Sequence, residues 1–194
     1  MTTSPGVLLG VVVTLSVLHM LAPDHWVPIT VVSHRRNYTK PRTYLLASGI
    51  GLGHGASSAV LSLVIAEIGA FFFPTYYVNL FAIFLLLVVA LYIIVHAVKE
   101  ARAETKVEGV SVLVSVIPDP ALVPFILMAQ GFGVVYTGVM LGAFTVAAVA
   151  AVTLVVFLAT KGLSRALSRV RPQHVDYLVA LALILVAAFV YFSG

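Results

Sequence analysis

The chain has 194 residues, of which 61% are hydrophobic and only 9% charged, and its mean hydropathy is +1.12. A soluble domain of this size needs several times more charge to cover its surface, so the composition excludes a water-soluble globular fold and makes the bilayer the solvent. The absence of cysteine excludes disulfides and thiolate metal sites, and the net charge of +4 sits in short loops between apolar runs, which argues against nucleic acid as a partner.

Apolar runs of spanning length lie at roughly 5–33, 43–69, 76–98, 109–130, 134–160 and 175–193. They predict an all-α integral membrane protein, a single transmembrane domain over residues 1–194 with six transmembrane helices. The opening MTTSPGVLLG has no basic stretch and no small-residue cleavage site, and reads as retained, not as a signal peptide.

The first run contains LSVLHMLAPDHWVPITVV, with His19, Asp24 and His25 among Pro23 and Pro28. A regular helix turns about 100° per residue, which leaves His19 about 140° from Asp24 and about 120° from His25. Pro23 lacks the N–H that would bond the His19 carbonyl, and Pro28 the one that would bond the Asp24 carbonyl. Freed carbonyls in hydrocarbon are tolerated where they face protein, water or an ion. Helix 1 is therefore predicted to break at proline and to gather His19, Asp24, His25 and carbonyl oxygens around something polar.

The second run, containing GLGHGASSAV, carries His54 among glycines at 49, 51, 53 and 55, which let a neighbouring backbone approach closely and leave the histidine and two serines at a crowded interface. Glu67, near its outer end, reads as interfacial. In the third run His96 lies close to the cytoplasmic end and also reads as interfacial; a cytoplasmic linker, 99–108, follows. The fourth run holds Asp119 between Pro118 and Pro120, a second predicted break, and Asp176 marks the start of the sixth. His34 and His174 fall in or beside basic loops and are expected to be solvated.

All eleven Lys and Arg follow helix 1 (Arg35, Arg36, Lys40, Arg42), helix 3 (Lys99, Arg102, Lys106) or helix 5 (Lys161, Arg165, Arg169, Arg171). The connections GAFFFPTYY and QGFG are uncharged. The positive-inside rule then places the basic loops in the cytoplasm and both termini outside the cell, in a multi-pass protein of the cell membrane.

The chain also repeats itself. LAPDHWVP (21–28) resembles VIPDPALVP (116–124), aligning Asp24 with Asp119, and GIGLGHGASSAV (49–60) resembles GVMLGAFTVAAV (138–149). Residues 1–98 and 109–194 thus read as two inverted three-helix repeats, an arrangement that builds a midplane site between halves that rock. Val114, Pro120 and Ala143 stand where the first half has His19, His25 and His54. The site is expected to be asymmetric, with the first half chelating and Asp119 gating from the second.

Within the spans lie Asp24, Glu67 and Asp119, with Asp176 at the start of the last, and no Lys or Arg. Intramembrane carboxylates without basic partners must be protonated or offset by a cation, which argues against an anion site. Imidazoles with a carboxylate suit nickel, cobalt or zinc better than magnesium or calcium. There is no HExxH, GxSxG or GxxxxGK[ST] motif, so an enzyme is not expected.

HMLAPDHW, with His then Asp five and His six residues on, resembles the HAxDADHI signature of the nickel/cobalt transporter family, and LGHGASSAV is similar to its second signature. The nickel/cobalt efflux proteins carry a related element with proline in the middle. The resemblance implies a place in the lysine-exporter superfamily, with TauE-like and UreH-like membrane proteins and two inverted three-helix halves. It also implies metal ligation by His19, Asp24, His25 and His54. Ala22 stands where the family signature has its first acidic residue.

The expectation is a secondary transporter of divalent transition-metal cations, nickel or cobalt first. The metal would be substrate and not cofactor, protons the coupling ion and the lipid bilayer the surroundings; a homo-oligomer is compatible with this. The alternatives are a small-anion or organic-solute exporter of the TauE or lysine-exporter type, and a non-transporting membrane accessory protein for metal delivery.

Overall fold

The computed structural model describes residues 4–72, 75–102, 116–163 and 172–193, and they are helical almost throughout, with no strand among them. Helix α1 (Pro5–Met20) starts with proline at its first position, where the missing N–H is no loss. It stops at Leu21 and Ala22, and α2 (Pro23–Arg35) restarts with Pro23 at its own first position. The two are bent by 46°.

The break differs in detail from the expectation. The His19 carbonyl is not freed: the chain tightens at the end of α1, and the Ala22 N–H donates to it at 3.1 Å. The Leu21 carbonyl is taken by the Trp26 indole N–H at 3.2 Å. Pro28 lies inside α2 without ending it. Turn hydrogen bonds and one indole thus satisfy the His19 and Leu21 carbonyls.

Helix α3 (Lys40–Phe72) has 33 residues and is about 50 Å long, well beyond the ~30 Å hydrocarbon layer, with His54 near its middle. It packs on α6 (Val134–Leu158) through two of its five glycines. A Cβ on Gly51 would stand 2.8 Å from Val149 Cα, and one on Gly55 2.9 Å from Thr145 Cα, so both must be glycine for the backbones to lie this close. Gly49 faces open space and Gly53 meets Val116 instead. Two hydroxyl pairs tie the same interface, Ser48 with Thr153 (3.1 Å) and Tyr44 with Thr160 (3.0 Å).

Helix α4 (Thr75–Arg102) packs against α7 (Pro172–Ser193). It extends into the expected linker 99–108, of which 103–108 lie outside the described residues. Between α4 and α6, a 3-10 turn (Pro120–Leu122) leads into α5 (Val123–Gln130). Residues 118 and 119 are non-helical, as the flanking prolines predict. Beyond α6 a short π-turn, Ala159–Leu163, ends on Gly162 at φ 98°, a left-handed conformation that favours glycine.

Four described helices are long and apolar enough to cross a membrane, and the bent pair α1–α2 makes a fifth if taken as one span. This is an all-α protein whose long apolar helices are those of a membrane protein. The predicted fourth helix, 109–130, is represented by the short apolar stretch Pro120–Gln130; residues 109–115, with Val114, lie outside the described residues, as do Lys106, Arg165, Arg169 and Arg171.

Two apolar cores divide the structure. One joins Leu8, Val12, Leu15, Phe125 and Phe144 with the inner faces of α4 and α7. The other joins Met20, Trp26 and Ile29 with Ile50, Ala148 and Val152. His19, His25 and His54 lie at the junction, where each chain segment passes from one core to the other.

Candidate metal centre

The bend between α1 and α2 turns two residues that a straight helix would hold about 120° apart into neighbours. The rings of His19 and His25 have centroids 4.5 Å apart, and His54 approaches from α3 at 5.2 Å from His19 and 5.3 Å from His25. One ring nitrogen of each lies within 4.8 Å of the other two. Nitrogens bound to an ion at about 2.1 Å in a tetrahedral array stand about 3.4 Å apart, so side-chain shifts of about 1 Å convert this triangle into a coordination set.

Two of the imidazoles have a carboxylate beside them. Asp24 Oδ1 lies 3.0 Å from His25 Nδ1, which leaves His25 Nε2 for the centre of the triangle. Asp119 Oδ2 is 4.0 Å from His19 Nδ1. A carboxylate behind a ligating imidazole fixes its tautomer and raises its basicity, as in many metal sites. Asp24, expected as a ligand beside His25, is half-exposed and engages His25 from behind. Asp24 and His25 both line one cavity.

His54 carries the strongest sign of function. It is fully buried, with Phe144 beside it at 6.3 Å, and neither of its ring nitrogens has a hydrogen bond of good geometry among the described residues, the Ile117 backbone making only a weaker approach. Buried polar atoms are almost always paired, because leaving one unpaired costs a large part of its desolvation energy. An imidazole left without a well-formed hydrogen bond beside two others fits a site built to receive a cation.

The second half is held onto α3 by the serines of GASSAV. Ser57 Oγ donates to the Val116 carbonyl at 2.8 Å, and the Asp119 N–H donates to Ser58 Oγ at 2.8 Å. The Ala121 N–H donates to Asp119 Oδ1 at 2.8 Å. Asp119 is thereby fixed, buried, beside His19. The sequence reading placed the two serines at an interface but did not identify this docking; the signal was the GHGASS run itself, with hydroxyls one helical turn beyond the histidine.

A cavity of about 220 Å³ opens in front of the triad, bounded on one side by His19, Asp24, His25 and Asp119. Its far wall includes Tyr92 and His96 of α4 and Asp176 and Val179 of α7. His96 and Asp176, expected only at helix ends, thus line the same space as His19 and His25. Glu67 lies elsewhere, accepting a hydrogen bond from Gln130 Nε2 at 3.2 Å, and His34 and His174 are exposed.

No family model, curated protein or solved structure matches the chain. The reading of the site therefore rests on its own geometry.

Proposed function

We propose that the protein is a secondary membrane transporter of divalent transition-metal cations, nickel or cobalt first, in which His19, His25 and His54 bind the ion at mid-membrane. The observation that carries this reading is His54, buried without a well-formed hydrogen bond, within 5.3 Å of two further imidazoles. Three neutral imidazoles form a borderline ligand set selective for late first-row divalents, and Asp24 and Asp119 supply negative charge behind it.

In this reading the two halves are inverted repeats. The α1–α2 break corresponds to the non-helical Pro118–Asp119 stretch, α3 to α6 and α4 to α7. Rocking of one half against the other exposes the site to each side in turn. The basic loops face the cytoplasm of a cell membrane and both termini lie outside. Protons are the natural counter-ion, since neutral imidazole ligates and imidazolium does not. The chemistry needs no enzyme activity. An anion exporter is disfavoured because no Lys or Arg is among the described residues that line the cavity.

The test is flux in proteoliposomes of the purified protein, with Ni²⁺ or Co²⁺ on one side and a pH gradient set in either direction. Wild-type protein is expected to move the ion, and His19→Ala and His25→Ala to abolish movement while inserting normally. Wild-type rates in both variants would end the assignment, and a metal-binding protein that moves no ion would favour a delivery role.

A further inference from the structure

We propose that the cavity beside the triad is a vestibule for the same cation, and that His96 and Asp176 form a second, weaker binding station on its far wall. This rests on the reading of the triad as a metal site, and it adds residues that neither repeat motif contains.

Three observations lead to it. The first is placement. Tyr92 and His96 lie one turn apart on α4, Asp176 and Val179 one turn apart on α7, and all four line the cavity whose near wall is His19, Asp24, His25 and Asp119. His96 is close to the end of α4 that carries Lys99 and Arg102, and Asp176 is close to the start of α7. The station therefore sits at one end of the α4–α7 pair, between the triad and the basic-loop side of the protein.

The second is size. At about 30 Å³ per water, 220 Å³ holds about seven waters, enough for a divalent ion with most of its hydration shell. On the other side of Asp119 the space falls to about 10 Å³ between Val12, Leu15, Leu122, Phe125 and Phe144, too small and too apolar for a hydrated ion. The larger, more polar space therefore lies on the side of Asp119 that carries His19 and His25.

The third is chemistry. One imidazole and one carboxylate, contributed by two helices, hold a late first-row divalent ion partly through its waters. Such a pair binds less tightly than three convergent imidazoles. It lets the ion shed its shell in two stages, keeping most of its water at His96 and Asp176 and losing it at the triad.

The experiment is a Co²⁺ titration of the full-length protein in detergent by calorimetry. Wild-type protein is expected to show a tight phase and a weak phase. His96→Ala, alone and with Asp176→Asn, should weaken the weak phase by at least about tenfold and leave the tight affinity within about twofold. His54→Leu should do the reverse. A single phase in the wild type, or a weak phase unchanged in both His96→Ala and the double variant, would overturn the second station while leaving the triad standing. Loss of the tight phase on changing His96 would overturn it too, by making His96 part of the primary site. No binding in either phase would sink the metal reading itself.

Discussion

Replacing His54 by leucine separates the stability of the site from its function. In the metal-free protein the imidazole buries two nitrogens that have no well-formed hydrogen bond, with Phe144 and the two other rings around it. A buried polar group left unsatisfied costs about 1–3 kcal/mol. Leucine fills a similar volume without polar atoms, so the metal-free His54→Leu protein should be more stable than wild type by about that amount, about 5- to 150-fold in the folding equilibrium. Metal reverses the order. Wild-type protein at a hundred times the dissociation constant gains about 2.7 kcal/mol, and the variant, with one of three imidazoles gone, should gain almost none. The chain has a single tryptophan, Trp26, next to His25, so its fluorescence reports both unfolding in SDS-titrated micelles and metal binding. Undiminished metal stabilisation in His54→Leu would refute the ligand role. A metal-free variant weaker than wild type would show that the imidazole serves the fold and is not held ready for an ion.

Asp24→Ala removes the carboxylate hydrogen-bonded to His25 and should lower metal affinity about 10- to 100-fold, measured by Trp26 quenching, without abolishing binding. Gly55→Ala drives a Cβ into Thr145 and should destabilise the protein by about 1–3 kcal/mol in SDS unfolding, whereas Gly49→Ala, which meets nothing within 4 Å, should be neutral or slightly stabilising. Affinity should fall on acidification, because each ligating imidazole must be neutral, measured by titration at a series of pH values. Binding that strengthens on acidification would contradict imidazole ligation.

Much of this site was legible because its signals are local. Two prolines among two histidines in an apolar run announced a break, and the break is there. Alternating glycines announced a close helix contact, which Gly51 and Gly55 make. The state of the His19 carbonyl was not legible: a proline deletes one donor, but Ala22 N–H supplies another through a tighter turn, and hydrogen-bond rearrangement of that kind leaves no trace in residue spacing. The hydrogen bond between Asp24 and His25 was not legible either. A bond between neighbours on one helix depends on side-chain rotamers, which residue spacing does not encode. His96 and Asp176 are eighty residues apart and meet one cavity only through the packing of α4 on α7, which no periodicity encodes. The fourth span was read from hydropathy over 109–130, yet among the described residues the helix begins only at Pro120, because Pro118 and Pro120 bar a regular helix through Asp119.

The central claim is that three imidazoles hold one divalent ion inside the membrane domain. X-ray absorption at the metal edge of the Ni²⁺-loaded protein tests it most directly. The expected result is about three imidazole nitrogens near 2.1 Å, with one lost in each of His19→Ala, His25→Ala and His54→Leu. A shell of oxygens alone, unchanged in all three variants, would contradict it.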